Sequence, residues 1–259
     1  MKRFFSVIVA LVMLAGATSA SAQGHRHGHG GHHDVYSVAD GLGISFGYVH
    51  SAYRLSDWAT DEVETMDGLD GFNIGLTKDF PLIDQMLYLQ TGLAYTYQND
   101  SRNMSESGVR LVGDWDEHFL NIPIKVKYEV PVMDGLNVFV MGGPSLVAGL
   151  SSSMKYRARV DVLGESVNAA ISYNFFNGKV RTNDGMPDFL QKVIEQQFPE
   201  ARYRRSDVQL GLSAGVKLFE LLEAQIGYDW GLVNKFRGET IDDLKMRRQQ
   251  FYISVGVRF

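Results

Sequence analysis

Five histidines, His25, His27, His29, His32 and His33, fall within nine residues near the start of the chain, spaced by glycines and one arginine. Neutral imidazole is a common ligand for Zn²⁺, Cu²⁺ and Ni²⁺, and a glycine-spaced run can wrap an ion without a preformed cage. The same composition also makes a solvated polar linker with no resident metal. A second set of reactive side chains is scattered along the chain: His50-Ser51, Asp57, Asp114, Asp116, Glu117 and His118. A histidine with an acidic partner can activate a serine or a water. Here no spacing fixes such a geometry and no catalytic motif joins the residues. The expectation is a protein that is not an enzyme and carries no organic cofactor.

The elements that must position these groups are strands. Leu42, Ile44, Phe46 and Tyr48 alternate with Gly43, Ser45 and Gly47. Leu120, Ile122, Ile124, Val126 and Tyr128 alternate with Asn121, Pro123, Lys125, Lys127 and Glu129. Phe251, Ile253, Val255, Val257 and Phe259 alternate with Tyr252, Ser254, Gly256 and Arg258. Side chains on a strand alternate between faces, so each segment has one apolar face and one small or polar face. The same reading predicts strands around residues 72–77, 87–97, 136–146, 208–218 and 222–232, eight in all.

Connections between these segments alternate in length. Residues 80–85, 130–135 and 219–221 are short; residues 51–70, 98–117, 151–206 and 233–249 are long. Residues 1–22 read as an export signal, with Lys2 and Arg3 ahead of an apolar run and small residues at 19–22. A His/Gly-rich tail at residues 23–37 follows, then one domain at residues 38–259. The chain has no Cys, which excludes a disulfide-stapled scaffold, and its net charge of −5 argues against a nucleic-acid partner.

Together these features predict an all-β fold, an eight-stranded antiparallel transmembrane barrel with long extracellular loops. Short periplasmic turns, long outer loops and apolar-out, polar-in strands are the marks of outer-membrane barrels. Lys125, Lys127, Glu129, Lys217, Glu223, Asp229 and Arg258 must then face a narrow lumen, where opposite charges can pair. Tyr48, Tyr95, Tyr97, Tyr128, Tyr228 and Trp230 suit an interfacial girdle. Within the third long loop, residues 154–161 and 166–176 are expected to extend the barrel as a hairpin, and residues 187–198 to form a short helix. The acidic residues 114–117 are expected at the rim, as a solvated loop or as ligands for Ca²⁺ or for cations that bridge lipopolysaccharide.

The run Leu120-Asn121-Ile122-Pro123-Ile124-Lys125-Val126-Lys127-Tyr128 resembles the "L-x-I-P-x-x-x-K-Y" strand of the PorT-like, porin-type outer-membrane barrels of Gram-negative bacteria. Gly142-Gly143-Pro144, Tyr228-Asp229-Trp230-Gly231-Leu232 and the terminal aromatic are similar to the same family. The resemblance implies location in the cell outer membrane and contact with the barrel assembly machinery. A non-enzymatic scaffold or surface-interaction role is expected, with a narrow or gated transport channel as the alternative and a rim-located lipid-modifying enzyme third. The expected partners are outer-membrane lipids and a protein partner at the extracellular loops, for a monomer.

Overall fold

Alternation carries the chain through twelve strands in the computed structural model, which describes residues 41–57, 63–83, 86–106, 109–162, 165–182, 202–237 and 244–259. They are β1 (Leu42–Asp57), β2 (Val63–Ile83), β3 (Leu87–Glu106), β4 (Val109–Met133), β5 (Leu136–Val162), β6 (Glu165–Asn174), β7 (Lys179–Thr182), β8 (Arg202–Tyr203), β9 (Ser206–Leu218), β10 (Leu222–Gly231), β11 (Phe236–Arg237) and β12 (Leu244–Arg258).

Neighbours pair in the order β4-β3-β2-β1-β12-β10-β9-β5, and β5 pairs back to β4. Eight antiparallel strands thus close on themselves, which leaves no sheet edge within the barrel wall. Large apolar side chains lie outside: Phe46 is 56% exposed, Leu212 58% and Val255 59%. Lysines, arginines and carboxylates lie inside. This polarity is the reverse of a water-soluble barrel and is the one a bilayer requires.

The three tight ends are turns beside Met86, at Asp134-Gly135 and at Phe219-Glu220. Gly135 has φ 75°, which glycine adopts without strain. Phe219 and Glu220 have φ 53° and 58°, both in the left-handed region, although neither is glycine. A bond from Leu221 N–H to the Leu218 carbonyl, 3.0 Å, closes that turn.

At the opposite end the strands continue well past the belt, and here the loop expectation is corrected. Most of the described residues in 51–70 and 98–117 are strand, not loop. β1, β2 and β12 rise together as one fin. β3, β4, β5, β6 and β7 rise as a second. The expected hairpin within the third loop is present as the tops of β5 and β6. A bulge in β5 opposite His118 and Phe119 switches which residues face inward, so Ser152 rather than Ser151 points to the axis. The expected helix at 187–198, the tail at 23–37 with its five histidines, and the export signal lie outside the described residues.

Candidate functional site at the barrel mouth

The lumen is filled from the short-turn end upward. Lys127 is fully buried and reaches across the lumen to Asp79 (3.1 Å) and Glu223 (2.5 Å), and along its own strand to Glu129 (3.2 Å). Arg258 joins Asp79 (3.1 Å) and Glu223 (2.8 Å) from the last strand. Lys217 pairs with Glu129 and with Glu220 at the rim. Higher up, Lys125 pairs with Asp229 (2.9 Å) and donates to the Tyr252 hydroxyl (3.1 Å). All seven luminal charges expected from alternation are therefore inside and paired. Glycine makes room for them: a Cβ at Gly211 would stand 2.7 Å from the Lys125 Nζ and collide with the Asp229 carboxylate.

Asp79 is a further member of this network, lying between the expected strand at 72–77 and the expected connection at 80–85. The signal was present, because Asn73, Gly75 and Thr77 already set the inward phase of β2 and Asp79 continues it. Around the network the lumen is nearly solid. A cavity between Gly43, Ser45, Gln90, Gln225 and Ser254 holds about 30 Å³, room for about one or two waters.

A second cluster caps the lumen above the girdle marked by Tyr48, Tyr97 and Trp230. Its centre is Glu117, wholly buried, which accepts from Ser152 (2.8 Å), from Lys235 (2.8 Å) and from the Tyr53 hydroxyl. Lys235 comes from the connection after β10. The β8–β11 ribbon, Arg204 N–H bonding the Lys235 carbonyl (2.7 Å) and Lys235 N–H bonding the Met246 carbonyl (2.8 Å) hold that connection over the axis. Its ammonium lies 4.2 Å from the Tyr53 ring centroid and 5.1 Å and 5.2 Å from those of Phe119 and Tyr203, within cation–π range. Arg248 donates to Gln98 (2.5 Å) and Ser51 (3.1 Å) and lies over Phe119.

Aromatic rings surround this polar centre. Tyr53 stacks on Trp115 at 5.3 Å, Trp115 meets Phe175 at 5.7 Å, and Phe175 stacks on Tyr203 at 4.5 Å. Tyr53, Leu69, Trp115, Phe176, Tyr203 and Met246 form a small apolar core at the mouth. Burial pushes the Lys235 ammonium down to about 8, against the opposing pull of Glu117. Burial would raise Glu117, but Lys235 and Arg248 outweigh it and hold the carboxyl below its ordinary value. Burial raises Tyr53 and Tyr203, with Glu117 acting in the same direction.

The rim residues singled out for chemistry do not assemble. His50 points outward to Asp70 (2.8 Å), whereas Ser51 points inward to Gln98, because neighbours on a strand face opposite sides. His118 faces out against Tyr95 (2.6 Å) while Glu117 faces in. Asp114 and Asp116 lie on the outer wall, near Arg157 and Lys155 respectively. The acidic run 114–117 is thus split between two faces. Among the described residues no group of three or more His, Asp or Glu is placed to hold a metal ion. Sequence reasoning missed Arg248 and Lys235. The first continues the inward phase of β12 through Gln250; the second sits in an irregular connection that gives no periodic signal.

A family model described as "Outer membrane protein beta-barrel domain" matches residues 8–259. No curated protein matches the chain at a significant level. Among solved structures the chain is similar to Ail, the attachment invasion locus protein of Yersinia pestis, at 14% identity over 85% of this chain and 99% of that one, with a TM-score of 0.34. It is similar to Neisserial surface protein A at 12% identity over 85% and 98%, with a TM-score of 0.37. The N-terminal β-barrel domain of Pseudomonas aeruginosa OprF follows at 11% identity over 82% and 97%, with a TM-score of 0.22.

Proposed function

The chain belongs to the outer membrane protein β-barrel domain family, and from that premise we propose that this integral outer-membrane protein is a closed barrel that acts through its extracellular fins. It is neither a pore nor an enzyme in this reading. The observation that carries it is Lys127, which ties carboxylates from β2, β4 and β10 together across the axis. An eight-stranded barrel has an interior just wide enough for side chains to fill. A paired, hydrogen-bonded charge network in that space is costly to open, since each separated partner would remain buried and uncompensated. The mouth cluster around Glu117 and Lys235 adds a second closure.

Planar-bilayer recording of the purified barrel tests this. The expected result is no steady unit conductance at neutral pH. Stable openings in the wild-type protein would overturn it in favour of a narrow or gated channel.

We further propose that the chain falls among the PorT-like members of the family. The Leu120–Tyr128 motif supports this: its Lys125 and Lys127 serve the luminal network, and its Ile122, Ile124, Val126 and Tyr128 face lipid. The protein partner is expected at the fin tips of a monomer. The tail histidines His25, His27, His29, His32 and His33 are proposed as an accessory ligand set for Zn²⁺, Cu²⁺ or Ni²⁺, by the chemistry of clustered imidazoles. Equilibrium dialysis of the full chain against Zn²⁺, with all five replaced by Asn as control, tests that reading. Equal uptake by the two proteins would reject it.

A further inference from the structure

The outward faces of the two fins carry cations where the lipid belt ends. On the first fin Arg54 of β1 stands directly opposite Arg247 of β12, with Lys245 one cross-strand row higher. All three are exposed. Like charges directly opposed on neighbouring strands repel. Among the described residues no carboxylate pairs with any of the three. The row below holds Gln249, whose other neighbour is the girdle residue Trp230. Arg54 also lies within electrostatic reach of Tyr228 in the girdle.

The second fin also carries cations on its outer wall, here interleaved with carboxylates. Its outward register aligns Asp114, Lys155, Ser172 and Arg181 across four strands. An open cavity of about 490 Å³ lies against them, lined also by Arg157 and Asn99. Arg157 is held by Asp114, and Lys155 lies 3.5 Å from Asp116. Arg181 has no carboxylate partner among the described residues. On this wall the row of Tyr97 and His118 marks the girdle, and Asp114 and Lys155 lie two rows above it.

We propose that these two outward faces bind the phosphate groups of outer-leaflet lipid headgroups. Three features select that occupant. The cations face sideways from the walls, where lipid abuts the barrel, and not upward from the tips, where a soluble ligand would arrive. They begin one to two rows above the apolar belt, at about 7 Å per row along a strand, so they lie within the headgroup layer and the sugars attached to it. Two opposed arginines with no counter-ion among the described residues offer paired guanidinium forks, a geometry suited to a shared phosphate. This inference is independent of whether the lumen is closed.

The test uses the full barrel in phosphatidylcholine vesicles that contain either bisphosphorylated lipid A or the same lipid with both phosphates removed. Lipid retained through extraction is counted by native mass spectrometry. The phosphorylated form should be retained at least tenfold more strongly. Arg54→Gln/Arg247→Gln should weaken that retention by about 25-fold, roughly fivefold per cation. Arg54→Lys/Arg247→Lys should keep most of it, and Lys155→Gln/Arg181→Gln should reproduce the loss on the second wall. In plain phosphatidylcholine the glutamine pair should melt no lower than wild type, because a repulsion has been removed. Equal retention of the two lipids, or no effect of either glutamine pair, overturns the proposal. So does full competition by the acyl-free bisphosphorylated disaccharide at equal concentration, which would assign the site to a soluble polyanion.

Discussion

The two charged clusters on the barrel axis use the same residue types and differ in how they are built. In the lower network every buried charge sits on a spanning strand, and four strands meet at its centre: Lys127 and Glu129 from β4, Asp79 from β2, Glu223 from β10 and Arg258 from β12. In the upper cluster Glu117, Tyr53 and Arg248 sit on strands, but the cation that completes it, Lys235, sits on a connection held by two-residue strands. The lower network is therefore welded to barrel closure, and separating it requires opening the wall. The upper cluster is welded to a loop that can leave without the wall opening. Similar electrostatics thus belong to two different cooperative units.

The largest effect that can break this comparison is at Lys127. Lys127→Met leaves Asp79, Glu129 and Glu223 crowded without their shared cation, and losing one member of a buried pair costs about 3–5 kcal/mol. The loss should appear in global unfolding by urea in detergent micelles. Lys235→Met should cost less globally, about 1–2 kcal/mol, because Arg248 remains beside Glu117 and water can reach the mouth once the loop lifts. Its main sign should be faster proteolysis between β10 and β12 while the barrel still migrates as folded. Equal global losses for the two variants would show that the plug and the wall unfold as one unit.

The legibility of the two clusters follows the same division. Lys125, Lys127, Glu129, Lys217, Glu223, Asp229 and Arg258 were readable because a strand in a bilayer must turn its charges inward, and a period of two needs only a few residues to set the phase. Asp79, Glu117 and Arg248 obey the same phase. Asp79 and Arg248 were missed, and Glu117 was read as a rim residue, because the strands were ended too early, at the edge of the apolar pattern. Above the belt the outer face turns polar, so alternation of hydrophobicity fades while the backbone ladder continues. Lys235 could not be read at all. Its place depends on Asn234 accepting the Met246 N–H (3.0 Å) and on Tyr203 and Phe236 packing edge to face, contacts distant in sequence with no period. The aromatic plug gave no such signal, because Tyr53, Trp115, Phe176 and Tyr203 are distant in sequence and lie in segments that read as connections.

A pH series sharpens the comparison with a smaller effect. Lys235 has a folded value of about 8, below its ordinary 10.5. Between those values the unfolded chain holds a proton that the folded plug lacks, so the stability of the plug should rise with pH across this window. Below pH 8 both states are protonated and the lysine contributes no slope. Tyr53 and Tyr203 are raised, so above pH 10 the unfolded chain loses their protons first and stability falls again. Glu117 is lowered, so its contribution is lost only as acid takes the pH below about 4.5 and through its folded value. Hydrogen exchange of the amides in residues 232–237 should therefore slow from pH 8 toward 10 after correction for intrinsic rate. In Lys235→Met that rise should be absent. A fall in plug stability over the same window in wild type would mean that the neutral amine is the disfavoured form, contrary to the burial that surrounds it.

The smallest effect lies at the lower end, where one lysine bridges buried and exposed partners. Lys217 pairs with Glu129, whose side chain is 3% exposed, and at 2.7 Å with Glu220, whose side chain is 67% exposed. Pair geometry alone would rank them as equals, but exposure separates them. An exposed pair contributes about 0–1 kcal/mol, and Glu220 also holds a left-handed φ of 58°, which costs a residue with a Cβ about 1–2 kcal/mol. Glu220→Gly relieves that strain, loses the exposed pair and the bond from Asn137 (2.9 Å), and adds about 0.5–1 kcal/mol of backbone entropy to the unfolded chain. These contributions nearly cancel, so the variant should unfold within about 0.5 kcal/mol of wild type. Glu129→Gln, at the buried end of the same ammonium, should cost about 3 kcal/mol, because Lys127 and Lys217 then share too little negative charge in a closed space. The pair of variants measures whether burial or the count of ion pairs holds the lower network. A Glu220→Gly loss as large as that of Glu129→Gln would mean that the rim carboxylate belongs to the network on equal terms, and that the wall and its charges do not end where the turn begins.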